Sequence, residues 1–187
     1  MKASDVKPGM ALEMDNQVYL VVSTEHVKPG KGPAYVQVKL KNVKTGGHVE
    51  KRLRSVEEVE QAMLDRRELE YLYSDGSGAV FMDSETFDQL SIGQALLGDD
   101  LLYLKPNTVV TALVYEGQVM SVELPASVDL QITETPPVVR GATATNQLKD
   151  AVCETGLKTR VPPFIKQGEV VRINTDTGEY IGRVKED

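Results

Sequence analysis

The sequence predicts an all-β protein assembled from small sandwiches or barrels. Short β-branched, aromatic or alternating runs recur along its 187 residues, separated by frequent turn residues. Helical periodicity is confined to a few short stretches. Charge falls into blocks: residues 1–64 hold 10 basic and 8 acidic side chains, residues 65–127 hold 3 and 11, and residues 128–187 hold 8 and 9. Pieces of some sixty residues make marginal cores. Joined in series, they suit binding along a large surface better than they suit a buried active site.

The elements follow in order. Val18–Val22 is β-branched and aromatic, and in Tyr35–Leu40 the apolar Val36, Val38 and Leu40 alternate with Gln37 and Lys39. Thr45-Gly46-Gly47 is a turn, and His48–Leu53 is the next strand. Further strands are expected at Leu69–Tyr73, Ala79–Met82, Val109–Tyr115, Val119–Leu124, Asp129–Thr135, Glu169–Asn174 and Tyr180–Val184. Turns are expected at Asp75-Gly76, Glu116-Gly117 and Thr177-Gly178. Val56, Val59, Met63 and Leu64 have helical spacing, so periodicity alone predicts a helix over Ser55–Arg67. Asp83–Phe87 and Ile92–Leu97 read as short helices, the second ending near Gly98.

Composition excludes several classes. A formal charge of −7 argues against a protein that coats duplex nucleic acid. One cysteine, Cys153, permits no intrachain disulfide and reads as a small buried hydrophobe. No apolar run approaches the ~20 residues of a membrane helix, and the amino-terminal segment MKASDVKPGM lacks the apolar run of a secretory signal. The expectation is a cytoplasmic protein. His26 and His48 have no metal-ligand spacing, and no phosphate-binding glycine loop or hydrolase triad occurs. Neither a metal nor a cofactor is expected.

One region stands apart. From His26 to Arg54, eight Lys or Arg side chains face Glu50 alone, a formal +7. Within it, Pro29-Gly30-Lys31-Gly32-Pro33 is a mirror-symmetric pentapeptide between two expected strands. Glycines beside Lys31 remove Cβ atoms, and the outer prolines restrict φ. A single ammonium at the end of a thin finger is one reading; an ordinary hairpin tip on a solvated surface is the other.

These residues resemble the bacterial elongation factor P family. The resemblance runs along essentially the whole chain. It is carried by Val27-Lys28-Pro29-Gly30-Lys31-Gly32, by Tyr71-Leu72-Tyr73-Ser74-Asp75-Gly76 and by Phe81-Met82-Asp83-Ser84-Glu85-Thr86-Phe87. The family's C-terminal signature is met by Lys149, Ala151, Gly156, Val161, Pro162, Ile165 and Gly168, and the closing motif by Thr177-Gly178-Glu179-Tyr180 with Arg183. The resemblance implies an SH3/KOW-like barrel over residues 1–64 and two OB-fold barrels over 65–127 and 128–187, in an elongated L shape. It also implies extended chain, not helix, over Ser55–Arg67.

It implies a function as well. The family acts as a monomer on the 70S ribosome between the peptidyl and exit sites, and stimulates peptide-bond formation at consecutive prolines. It does so without being an enzyme. By position, Lys31 is the loop tip and possible modification site, reaching the CCA end of peptidyl-site tRNA; Pro29, Gly30, Gly32 and Pro33 shape its loop. Lys28, Lys39, Lys41 and Lys44 are implied to face RNA phosphate. Tyr180 and Arg183 are implied to lie near ribosomal RNA or exit-site mRNA, the alternative for Tyr180 being a strand residue packed on its own barrel.

Three departures accompany the match. Gly141-Ala142-Thr143, the implied exit-site loop, lacks the family's aspartate; Thr159 stands at an aliphatic position of the signature; and Pro33 makes the loop palindromic. The proline-flanked form resembles the branch that works with a bare lysine. Ala142 and the palindrome also motivate an alternative, a paralogue with a different ribosomal or regulatory role.

Overall fold

Alternating apolar residues sort the strands onto cores in the computed structural model, which describes residues 1–139 and 147–185. Within these residues the chain forms three five-stranded sheets with little helix, which bears out the all-β expectation. By packing it divides into two compact units, residues 1–65 with 113–121 and residues 66–112 with 122–187. No helix among the described residues is long and apolar enough to cross a membrane.

The first sheet has the order β4-β3-β2-β1-β5, from β1 (Ala11–Met14), β2 (Gln17–Val27), β3 (Tyr35–Asn42), β4 (His48–Arg54) and β5 (Glu60–Ala62). Along β3 the even-numbered Val36, Val38, Leu40 and Asn42 are buried, while Tyr35, Gln37, Lys39 and Lys41 are not. Period two thus sends one set into the core with Leu12, Val21 and Leu53 and leaves the other facing outward. Each fully buried aliphatic side chain contributes about 1.5–3 kcal/mol by leaving water.

The helix expected from periodicity over Ser55–Arg67 does not form, and the family-based revision to extended chain holds. The apolar spacing there makes no single buried face: Val56 is 74% and Met63 83% exposed, while Val59 and Ala62 are buried. Tertiary pairing decides instead, since Ala62 stands opposite Ala11 in the β1–β5 ladder.

The middle sheet runs β10-β9-β6-β7-β8, from β6 (Asp65–Ser74), β7 (Gly78–Asp83), β8 (Gln89–Gly93), β9 (Val109–Tyr115) and β10 (Gln118–Glu123). Phe81 is its fully buried centre and meets Tyr71 edge to face at 5.7 Å. Gly78 is required by a close approach, because a Cβ there would lie 2.1 Å from the Ile92 carbonyl oxygen. The short helix expected at Asp83–Phe87 is a hairpin turn. Asp83 Oδ1 accepts from the backbone N–H groups of Glu85 and Thr86 at 2.8 and 3.1 Å, an Asx arrangement that offers the backbone an alternative to helix. These bonds hold the Asp83 carboxyl below its ordinary pKa, helped by Arg67. The second expected helix exists as α1 (Gln94–Leu97), followed by a 3-10 segment, Gly98–Tyr103.

The third sheet has the order β13-β12-β11-β14-β15, from β11 (Ser127–Glu134), β12 (Lys149–Cys153), β13 (Lys158–Val161), β14 (Val170–Asn174) and β15 (Tyr180–Arg183). Its core of Leu130, Ile132, Val161, Ile165, Val171 and Ile173 also receives Leu102 and Tyr103 from the 3-10 segment. Cys153 lies in this core, and burial pushes its thiol pKa up to about 11. It is a packing residue, inert as a thiolate.

Candidate functional site

The Lys31 loop joins β2 to β3. Eight cross-strand pairs, ending in Val27 opposite Tyr35, hold the two strands together up to the loop. The backbone N–H of Ser55, the residue after β4, donates to the Ala34 carbonyl at 3.0 Å and also ties the loop's return. Lys28, Gly30, Lys31, Gly32 and Pro33 are exposed and Pro29 is half-buried. Among the described residues no carboxylate pairs with Lys31.

The two glycines differ in kind. Gly32 has φ +109°, where an L side chain is strained, and a Cβ there would touch Pro29 Cγ at 3.9 Å. Gly30 needs no such φ, and a Cβ there would meet nothing within 4 Å. Gly32 therefore builds the loop, whereas the protein's own geometry makes no demand for glycine at Gly30.

The remaining cations of the +7 stretch are dispersed. Lys28 sits at the loop end of β2. Lys39 is on the outward face of β3 and reaches Glu50 at 3.4 Å. Lys41 shares that face but is half-buried, its stem lining a small apolar pocket with Leu20, Val43 and Leu64. Lys44 lies in the turn after β3, at the end of the hairpin opposite to Lys31. There Asn42 Oδ1 accepts from the backbone N–H groups of Lys44 and Thr45. An eight-residue strand separates the two turns by about 23 Å at 3.3 Å per residue. Lys51 is paired with Asp15 at 3.2 Å, and the Arg52 guanidinium lies 3.5 Å from the Tyr35 ring centroid.

In the other unit, Tyr180 opens β15 and packs half-buried against the third core. Burial raises its phenol pKa, outweighing the opposing charge of Arg183. The alternative reading of Tyr180 as a strand residue packed on its own sheet describes this placement. Arg183 Nη2 donates to Glu169 Oε1, and its guanidinium lies 5.1 Å from the Phe164 ring. Glu169 also accepts from the backbone N–H of Lys166 at 2.9 Å; that bond, then Arg183, lowers its pKa. Thr159, where the family signature has an aliphatic residue, has a local reason. Its hydroxyl donates to the Gly178 carbonyl at 2.7 Å and fixes the turn that delivers Tyr180. Gly141, Ala142 and Thr143 lie outside the described residues.

Three family models match this chain in succession: the elongation factor P KOW-like domain over residues 2–59, the elongation factor P OB domain over 64–122, and the elongation factor P C-terminal domain over 128–183. The chain belongs to the elongation factor P family. Elongation factor P of Moorella thermoacetica is 49% identical over 98% of this chain and 99% of its own length. That of Acetivibrio thermocellus is 43% identical over 98% of this chain and 100% of its own. Among solved structures, a eukaryotic translation initiation factor 5A from Methanococcus jannaschii superposes with a TM-score of 0.49 at 20% identity, covering 67% of this chain and 90% of that one. Membership of the elongation factor P family makes this chain a translation factor. The KOW-like and OB assignments agree with the strand-dominated sheets.

Arg52 and Phe164 escaped the motif reading. Arg52 was visible only as one charge in a run; its contact with Tyr35 becomes legible once the turn at 43–47 sets the β3–β4 register. Phe164 lies within the C-terminal signature but is 49% exposed, and its partner is Arg183 across the fold.

Proposed function

We propose that this translation factor binds the ribosome between the peptidyl and exit sites and speeds bond formation at consecutive prolines, with Lys31 ordering the CCA end of peptidyl-site tRNA. The observation that carries this reading is an exposed lysine at the tip of a loop whose root is held by the β2–β3 ladder and by the Ser55–Ala34 bond. Proline is a secondary amine with a locked φ and reaches attack geometry poorly on either side of the new bond. Holding a reactant in orientation can lower a barrier by several kcal/mol. The ribosome makes the bond; this protein supplies position, without a cofactor or chemistry of its own.

Charge placement supports the same reading. Lys28 and Lys31 stand at the loop end, where close approach to RNA needs cations, and Lys39 and Lys41 continue along the outward face of β3. Lys44 would contact a separate stretch of phosphate. Tyr180 and Arg183 are assigned to ribosomal RNA or exit-site mRNA through their exposed edges, since part of each is already used inside the fold. Pro29 and Pro33 limit the entropy that the tip loses on ordering, so Lys31 works undecorated. We assign the three functional domains to residues 1–64, 65–127 and 128–187, in a cytoplasmic monomer.

Reconstituted translation of a Pro-Pro-Pro message tests the reading. Lys31→Ala is expected to abolish relief of stalling while far-UV circular dichroism and melting stay those of the parent. Unchanged relief would overturn it. An intact mass equal to that of the bare chain is expected from natively expressed protein, and a mass increment on the Lys31 peptide would overturn the undecorated form.

A further inference from the structure

The root of the Lys31 loop holds a contact that no motif announces. Across β3 and β4, Tyr35 stands opposite Arg54 and Gln37 opposite Arg52, which makes Arg52 and Tyr35 diagonal neighbours on the outward face. Diagonal positions lie about 7–8 Å apart, within reach of a long side chain. Arg52 closes that gap, its guanidinium carbon 3.5 Å from the Tyr35 ring centroid. That is well inside the roughly 6 Å range of a cation–aromatic attraction. Glu50, on the same face, is engaged by Lys39 instead. Tyr35 is also the first residue of β3 and pairs with Val27, the last of β2. It is the point at which the loop of residues 28–34 leaves the sheet.

We propose that Arg52 is a positioning residue: stacked flat on Tyr35, it locks the root of the loop so that Lys31 points in one direction. It acts on Lys31 through that root and does not itself contact RNA. The consequence for translation rests on the proposed role of Lys31; the consequence for loop order does not.

Leverage explains why the root matters. Prolines on both sides of the tip, with Gly32 at φ +109°, make the loop itself stiff. A stiff finger amplifies any swing at its base. Lys31 lies four residues from Val27 and from Tyr35, so the tip backbone stands up to about 13 Å from the root and a swing of about 20° moves it by up to about 5 Å. Displacements near 1 Å already cost about a hundredfold where geometry is the catalyst. A planar guanidinium suits this task better than an ammonium, because it lies face to face on the ring. Its charge is thereby engaged at the root by the Tyr35 ring, although Arg52, like Arg54, is exposed.

The test uses the full chain and reads two things. First, 15N relaxation of the free protein gives order parameters for the Gly30, Lys31 and Gly32 amides in the parent, Arg52→Met, Tyr35→Leu and the double variant. Arg52→Met keeps the stem and removes the charge, so it stands if Tyr35→Leu unfolds. The expected result is an ordered parent loop, a clear drop in either single variant, no further drop in the double, and parent-like values in Tyr35→Phe. Second, relief at Pro-Pro-Pro is titrated with each variant. Arg52→Met should lower the maximal rate severalfold with the half-saturating concentration unchanged. Unchanged loop order, or a parent loop already disordered, would overturn the proposal. So would a raised half-saturating concentration with a salt slope smaller by about one, the mark of a lost phosphate contact. If Lys31→Ala leaves relief intact while Arg52→Met loosens the loop, only the ribosomal reading falls.

Discussion

Two regions of this chain carry the same kind of sequence signal, a cation inside a family motif, and the fold treats them in opposite ways. At the Lys31 loop the protein satisfies the backbone at the root and leaves the charged tip without a partner among the described residues. At the start and end of β15 it satisfies the side chains themselves. Arg183 is shared between Glu169 and Phe164, and Tyr180 leans on the core. A charge that the fold spends on itself contributes stability first and recognition second. A charge that the fold lifts clear of every partner contributes almost nothing to stability and is free for a ligand.

That contrast can be broken by substitution. The largest effect is expected at Lys31. Lys31→Ala should lower relief of proline stalling at least tenfold with no change in melting temperature, whereas Arg183→Ala should lower melting measurably and leave most of the relief. Equal behaviour of the two would erase the distinction. Next in size, Tyr180→Ala should destabilise by about 2 kcal/mol, the scale of a half-buried aromatic truncation, as read by urea denaturation. Gly32→Ala should cost about 1–2 kcal/mol because a left-handed φ excludes an L side chain. Gly30→Ala should leave the stability of the free protein unchanged, and any loss of relief would report a space needed only in the complex. Thr159→Val should cost about 1 kcal/mol by removing the hydroxyl bond to Gly178.

The smallest effect is a pH dependence. Glu169 has its carboxyl pKa lowered in the fold by the Lys166 N–H and by Arg183. Its contribution is therefore present above the unfolded value of about 4.3 and lost as pH falls through the lower folded value. Glu169→Gln should flatten the acid limb of a stability–pH curve, while Lys31→Ala should leave that limb unchanged.

Much of this was legible in the sequence, for identifiable reasons. Alternation located β3, because one face of a half-buried sheet must be apolar at every second residue, and Val36, Val38 and Leu40 obey that rule. The glycine-proline symmetry located the loop. Periodicity failed at Ser55–Arg67 because four apolar residues at helical spacing say nothing about strand pairing, and pairing with β1 decided that segment. Asp83–Phe87 misled for a related reason. A polar run with a carboxylate at its head looks like a helix start, yet the same carboxylate serves a hairpin turn equally well. That turn sets Phe87 at φ +61° and 70% exposed. Phe87→Gly should accordingly be neutral or stabilising by up to about 1 kcal/mol. The dispersal of Lys39, Lys41 and Lys44 was invisible for want of register. A charge sum over 29 residues cannot tell that Lys44 occupies the turn at the far end of the hairpin.

A cryo-EM map of a ribosome halted at consecutive prolines, with this protein bound, tests the role of the lysine finger most directly. The expected map places the Lys31 side chain against the terminal nucleotides of peptidyl-site tRNA, with the backbone of Gly30 and Gly32 in close approach and no density beyond the ε-ammonium. A map with the first sheet docked away from the catalytic centre, or with Lys31 facing solvent, would refute it.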